Sequence, residues 1–297
     1  MQWRGVIPAM TTVFREGGPV DLESVGRHAR WLVENGCSGV VALGSLGEGA
    51  TLGFDEKVEV LGSCVAALGG RAPVVAGISS LGTAEAVRLA RKAAEAGCAG
   101  LMVLPPYVYS TDWREMKAHI DAVIRATNLS CMLYNNPIAY RTDFLPTQVR
   151  ELAVEHPNLH AVKESSADVR RLTAIRAICG DRLALAVGVD DLIVEGIGAG
   201  AVCWIAGLAN ALPRESVALF DRALRGDARQ ALEIYRWFLP LLRMDTVPKF
   251  VQLIKLVGER VGVGSARVRA PRLQLEGAEL EEALTTIREA LEHRPHL

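Results

Sequence analysis

Two side chains carry most of the chemistry legible in this 297-residue sequence, and each ends a short apolar run. Lys163 follows Ala161-Val162 and precedes Glu164-Ser165-Ser166. Lysine is scarce: Lys57, Lys92, Lys117, Lys163, Lys249 and Lys255 make six, against 27 arginines. The other five fall in patterns expected of solvated helices, and Lys163 alone ends a strand-like run. A buried ammonium costs several kcal/mol unless it is paired. A lysine so placed is either a structural ion-pair partner, with Glu164 or another buried carboxylate, or an amine that attacks a carbonyl and forms a Schiff base. Tyr134 ends the preceding run, Cys131-Met132-Leu133-Tyr134-Asn135-Asn136-Pro137. A phenol beside an amine can move the protons that Schiff-base formation requires. Its alternative role is an aromatic core residue with a satisfied hydroxyl. The third candidate is Gly44-Ser45-Leu46-Gly47-Glu48. Its glycines let backbone N–H groups turn toward an anion such as a carboxylate, and Ser45 is suited to relay a proton. The alternative is a plain turn, and the spacing is not the G-x-S-x-G of a nucleophile elbow.

Other polar residues carry less. His156 and His160 are four apart, but Pro157 breaks the helix that would align them, so no metal site is expected. His28 and His119 read as surface or packing residues on helices. Asp190-Asp191 follow Gly188 and either bind substrate hydroxyls or cap the next helix. Arg170-Arg171 read as a solvated helix face. The six cysteines have no C-x-x-C spacing and read as small buried apolar groups in a reducing compartment, without disulfides or zinc.

The elements that position these residues repeat. Eight apolar runs lie at 5–10, 39–43, 73–78, 100–104, 131–135, 160–163, 183–187 and 201–205. Continuous rather than alternating runs predict parallel strands covered on both faces. Helices are expected between them: Asp21 capping 22–35, Thr83 capping 84–96, Thr111 or Asp112 opening one through 127, and Asp168 opening one through 178. Repeated β-then-α units predict an α/β fold, a (β/α)8 TIM barrel over residues 1–225. A doubly wound sheet would carry a Gly-rich fingerprint after its first strand, and residues 7–14 have none. Residues 226–297 show only helical patterns, at 227–242, 247–261 and 279–291, and are read as a C-terminal three-helix appendage. In such barrels the active site lies at the C-terminal ends of the strands, where Lys163 and Tyr134 fall.

Composition sets outer limits. Apolar residues make up 50% and charged residues 23%, which excludes intrinsic disorder. A net charge of -1 offers no electrostatic footprint for nucleic acid. The N-terminus lacks the apolar core of a secretory signal, and the longest uncharged run, 196–213, is Gly-rich and reads as a buried strand with its loops. A cytoplasmic protein with neither a nucleic-acid nor a membrane partner is expected.

Taken in order, these motifs resemble the dihydrodipicolinate synthase/N-acetylneuraminate lyase family of Schiff-base aldolases and dehydratases. The likeness covers nearly the whole chain. It is carried by the Gly-Ser-Leu-Gly-Glu loop, Leu104-Pro105-Pro106-Tyr107, Tyr134-Asn135-x-Pro137, Val162-Lys163-Glu164-Ser165, and Ala199-Gly200-Ala201 leading to Ile205-Ala206-Gly207-Leu208-Ala209-Asn210. The resemblance implies that Lys163 forms an imine with a small 2-oxo acid and that Tyr134 moves protons to and from the imine and the leaving oxygen. It implies that Ser45 links Tyr134 to a tyrosine of a neighbouring subunit, the place where Tyr107 falls. The Ser45-Leu46 backbone would receive the substrate carboxylate, and Leu46, Gly47, Asp190, Ile205 and Ala206 would line the pocket. No metal or organic cofactor is implied, because the protonated imine is the electron sink. A homotetramer, a dimer of dimers, is the family's common assembly.

The departures are specific. Dihydrodipicolinate synthases place an arginine two residues after that proline, where this chain has Ala139, with Arg141 two residues later. Leu46, Ala206 and Leu208 stand where small polar residues are usual. N-acetylneuraminate lyases use a hydroxyl near Gly207 that is missing here, although Asp190-Asp191 match their acidic pair. Both namesake activities are therefore disfavoured. The combination looks most like the dehydratase/deaminase branch, one member of which opens 1-pyrroline-4-hydroxy-2-carboxylate to 2-oxoglutarate semialdehyde and ammonia. A pyruvate-dependent retro-aldolase, a 2-keto-3-deoxy sugar acid dehydratase and a catalytically silent metabolite-binding barrel are the alternatives.

Overall fold

The computed structural model describes residues 1–107 and 112–295. The eight apolar runs form eight strands: β1 (Gly5–Pro8), β2 (Val40–Ala42), β3 (Val74–Ile78), β4 (Gly100–Val103), β5 (Ser130–Asn135), β6 (Leu159–Glu164), β7 (Ala184–Val187) and β8 (Cys203–Ala206). Every pair is parallel, and the order is β1-β8-β7-β6-β5-β4-β3-β2. A further parallel bridge from Ala9 to Val41 joins β1 to β2 and closes the ring. This is a (β/α)8 TIM barrel with C-terminal helices. Nearly every strand residue is buried, because helices cover the outside and side chains fill the inside. That double burial is why the runs are continuous in sequence.

The caps act locally, as their residue types require. The Asp21 carboxylate accepts from Ser24 N at 3.2 Å and starts the helix Leu22–Glu34. Asp112 accepts from Arg114 N and Glu115 N and opens Trp113–Ile124, while Thr111, the other candidate opener, lies outside the described residues. The helix expected after Thr83 begins on Thr83 itself, with Gly82 at the cap. Asp168 accepts from Arg170 N at 3.1 Å, ahead of the helix Arg170–Cys179. The C-terminal appendage holds Ala228–Leu242, Phe250–Arg260 and Gly277–Glu292. Among the described residues no helix is long and apolar enough to cross a membrane. Five cysteines are buried and Cys179 is half-buried; burial pushes the thiols of Cys37, Cys64, Cys98, Cys131 and Cys203 up to about 12.

Two expectations about charge are corrected. Lys57 and Lys255 are buried, not solvated. Lys57 reaches Glu85 at 3.4 Å, and Lys255 pairs with Glu48 at 2.6 Å. Arg170 is exposed as expected, but Arg171 folds back to pair with Asp143 and to donate to Phe144 O at 3.2 Å. Neither partner is near in sequence, so the local charge pattern carried no sign of them.

Candidate active site

β5 and β6 set the centre. Their register pairs Tyr134 with Lys163 side by side at the C-terminal rim, and Lys163 Nζ lies 3.9 Å from the Tyr134 ring centroid. Both side chains are buried. Lys163 makes no ion pair or hydrogen bond with any described residue. Glu164, its sequence neighbour, is turned away because successive strand residues point to opposite faces. The Glu164 carboxylate accepts from Asn135 Nδ2 at 3.0 Å and Ser166 N at 2.8 Å. Burial raises its pKa against these bonds. Glu164 is thus not an ion-pair partner for Lys163.

Gly188, just past β7, gives the lysine its room. A methyl group there would overlap Lys163 Cε and Ser165 Oγ. Ser165 Oγ is buried with no hydrogen-bond partner among the described residues. This hydroxyl, two residues along the chain from Lys163, faces the same narrow space.

The loop after β2 supplies the second part. Leu43 and Glu48 both adopt left-handed backbone conformations, φ 67° and 55°, which are strained for such side chains. The turn is closed by Glu48 N to Ser45 O at 3.1 Å and Gly49 N to Gly44 O at 3.2 Å. The N–H groups of Ser45, Leu46 and Gly47 donate to no described protein group. Leu46 and Gly47 are buried. An array of unspent donors in a water-poor place suits a carboxylate. Glu48 anchors the loop from beneath through Lys255 and through Arg269 N at 3.0 Å.

A tyrosine cluster fills the rim between these parts. Asn136 accepts from Ala139 N at 3.0 Å, and with Pro137 starts the single helical turn Pro137–Tyr140. That turn swings Tyr140 back over the barrel, where its hydroxyl bonds Ser45 Oγ. The Tyr140 ring packs edge-on to Tyr134 at 5.8 Å and tilted on Tyr107 at 4.7 Å. Asn136 Nδ2 donates to the Tyr134 hydroxyl at 3.0 Å. The Ser45 partner within this chain is therefore Tyr140, a residue sequence reasoning passed over. Its one available signal was the Asn-Pro turn opener three residues before it. Tyr107 donates to Ser79 O at 3.4 Å. Burial raises the pKa of both Tyr107 and Tyr140.

The β7 and β8 ends close the site. Ile205 and Ala206 are buried on β8. Asp190 is also buried, but its oxygens are taken: Trp204 Nε1 donates at 2.9 Å, Gly207 N at 3.0 Å and Leu208 N at 2.7 Å. It neither caps a helix through its side chain nor keeps a free lone pair for a substrate hydroxyl, and it braces the turn after β8. Burial outweighs those donors and raises the Asp190 carboxyl to about 6. Among the described residues, ligand-type atoms of Asp121, Glu155 and His156 come together, without His160. Lys117 already pairs with Glu155, and His156 meets Asp121 at 2.5 Å. This group sits at the C-terminal end of the helix feeding β6, the opposite end of the barrel from Lys163.

A closed parallel barrel with an unpaired lysine against a tyrosine at the C-terminal rim is an arrangement suited to carbonyl chemistry. Residues 2–290 match the family model described as the dihydrodipicolinate synthetase family, and the chain belongs to that family of Schiff-base lyases. A 4-hydroxy-tetrahydrodipicolinate synthase of Chelativorans sp. (strain BNC1) is 32% identical over 94% of this chain and 96% of its own. That of Alcanivorax borkumensis is 33% identical over 96% and 97%. Among solved structures, dihydrodipicolinate synthase from Aquifex aeolicus is 28% identical with a TM-score of 0.91, covering 98% of this chain and 97% of that one. A prophage protein of the dihydrodipicolinic acid synthase family from E. coli K12, solved in complex with pyruvate, is 25% identical with a TM-score of 0.92, covering 98% and 99%.

Proposed function

We propose that Lys163 forms an imine with a small 2-oxo or cyclic imino acid, and that the reaction is the dehydration and deamination of 1-pyrroline-4-hydroxy-2-carboxylate to 2-oxoglutarate semialdehyde and ammonia. The observation that carries the imine is the unpaired Lys163 amine, 3.9 Å from the Tyr134 ring in a buried rim. In this reading the substrate carboxylate sits on the N–H groups of Ser45 to Gly47. Lys163 adds to the C=N carbon, Tyr134 takes a proton from the adjacent carbon, and the hydroxyl one carbon further departs. Addition of Lys163 breaks the ring C–N bond, so the ring nitrogen becomes a primary amine at the far end of the chain. After the hydroxyl leaves, the new C=C bond shifts toward that amine and turns it into an imine, which water hydrolyses to the aldehyde and ammonia. A second water hydrolyses the Lys163 imine to the 2-oxo acid. The protonated imine is the electron sink, so neither metal nor organic cofactor enters.

The substrate assignment rests on what the pocket withholds. Ala139 stands where a dihydrodipicolinate synthase would place its arginine, and Arg141 is exposed at the end of the Pro137–Tyr140 turn. With Leu46, Ala206 and Leu208 also apolar, the pocket suits a compact substrate with one carboxylate. A pyruvate-dependent aldol reaction is the second reading, favoured by the names its relatives from Chelativorans and Alcanivorax carry. Assembly as a dimer of dimers, with Tyr107 at a neighbouring subunit's site, is part of the same proposal; light scattering that gives the mass of one chain counts against it.

Borohydride trapping tests the imine. With pyruvate, the protein should gain one reduced adduct, and Lys163→Ala should gain none. No adduct on the parent, or an adduct that survives the substitution, overturns the reading in favour of a silent binding barrel. Ammonia release from the hydroxypyrroline carboxylate, and none with 2-keto-3-deoxy sugar acids, then selects the substrate.

A further inference from the structure

One carboxylate at the barrel mouth has no part in the chemistry above. Asp245 belongs to the short turn Arg243–Asp245 that follows the helix Ala228–Leu242, so it comes from the C-terminal appendage and not from the barrel. Its carboxylate reaches the turn after β8 and packs on Gly207, where a methyl group would overlap Oδ1. Gly207 is also the residue whose N–H donates to Asp190. The two carboxylates therefore flank one glycine, and both lie within electrostatic reach of Lys163.

They differ in what they have left to give. Asp190 is held by three donors, whereas Asp245 makes no side-chain hydrogen bond with any described residue. Asp245 is half-buried, so its carboxylate stands at the opening with acceptor capacity left for an incoming group. The buried, unpartnered Ser165 hydroxyl beside Lys163 Cε is a second unspent polar group at the C-terminal rim. The ionisable groups around Asp245 are Asp190 and Asp191 after β7, Lys163 on β6, and Arg243, which pairs with Asp191 at 3.7 Å. Burial, then the Asp190 charge, raise the Asp245 carboxyl well above the ordinary range, while Lys163 works against them. A carboxyl whose proton is held more tightly than usual is suited to give it to a leaving oxygen.

We propose that Asp245 is a catalytic acid of this site, binding the substrate hydroxyl that departs and protonating it as the C–O bond breaks. This deepens the dehydration reading and rests on it. Tyr134 accepts the proton from the carbon next to the imine. The electron pair of that C–H bond forms the new C=C bond, and the C–O pair leaves on oxygen with the Asp245 proton, as water. The Asp245 carboxylate then regains a proton from solvent. A base, Tyr134, and an acid, Asp245, thus divide one elimination.

The division is separable by experiment. Exchange of pyruvate methyl protons with deuterium, followed by NMR, needs Lys163 and Tyr134 but no leaving group. Asp245→Asn should keep this exchange and the borohydride adduct while losing about 10²–10⁴-fold in kcat on the hydroxypyrroline carboxylate. Asp245→Glu should recover part of the loss. Gly207→Ala, which displaces the carboxylate without removing it, should reproduce the Asn phenotype. Dehydration by Asp245→Asn at the parent rate overturns the assignment, as does parallel loss of exchange and dehydration, which marks a structural role. A parent protein that traps pyruvate yet consumes no hydroxylated acid overturns the dehydration step and Asp245 with it, leaving the imine intact. Absence of trapping in the parent overturns the Schiff base itself.

Discussion

Lys163 and Lys255 are equally buried lysines in one molecule, and they are built in opposite ways. Lys255 is held at 2.6 Å by Glu48 Oε1 and at 2.6 Å by Arg267 O, with the Phe14 ring 4.4 Å from its Nζ. Burial lowers its pKa, and Glu48 pulls it back up. Lys163 has the aromatic face alone, on Tyr134. Both ammonium groups would be expensive to desolvate, but only Lys255 is in contact with a carboxylate that offsets the cost. Pairing makes Lys255 a tie between the C-terminal appendage and the loop that presents Ser45. The lack of pairing leaves Lys163 without an ion-pair tie, as the proposed imine chemistry requires. Burial by itself does not tell a tied lysine from an untied one; the partner does.

Methionine at either position tests this contrast most severely. Lys163→Met should bring turnover to background and abolish the borohydride adduct, with thermal stability equal to or above that of the parent, since an unpaired buried charge is removed. A sharp loss of stability would show that Lys163 has a hidden partner. Tyr134→Phe comes next, with kcat lower by about 10²–10⁴-fold and the adduct still formed, more slowly. An unchanged rate would return Tyr134 to the role of a core aromatic.

Lys255→Met should act on stability instead. It leaves Glu48 buried and short of its main partner, at a cost of about 3–5 kcal/mol in urea unfolding. Adding Glu48→Gln should restore part of that loss. A stable Lys255→Met protein would break the comparison from the other side.

The smallest effect is a pH slope. The Asp190 carboxyl is raised from 3.8 to about 6, so between those values the folded chain keeps a proton that the unfolded chain has lost. Its contribution to stability is present below 3.8 and is lost as the pH rises through 6. The difference in unfolding midpoint between the parent and Asp190→Asn should therefore shift against the parent across that window. A constant difference would mean that the Trp204, Gly207 and Leu208 donors keep Asp190 ionised throughout.

Much of the architecture was legible because its causes are local. Asp21 caps its helix through Ser24, three residues away, and Gly100–Val103 is a strand because four apolar residues in a row fit a surface covered on both sides. Lys163 and Tyr134 could be placed at strand ends for the same reason. The misreadings share a different cause. Lys255 looked solvated because its helix is amphipathic, yet its partner lies 207 residues away. Asp190 looked available because its three donors come from β8 and the turn beyond it. Tyr140 and Asp245 were passed over because neither stands at the end of an apolar run.

The order of residues along the chain thus settled which segments become strands, where the helices start, and which lysine ends a strand, since each depends on neighbours a few positions away. Tertiary structure alone decided whether each buried charge is matched. The closed barrel and the helices folded against it bring together β5, β6, the β2 loop and the Arg243–Asp245 turn. Desolvation and Coulomb attraction are properties of that assembled neighbourhood, and they separate the lysine that ties the molecule together from the one left unpaired.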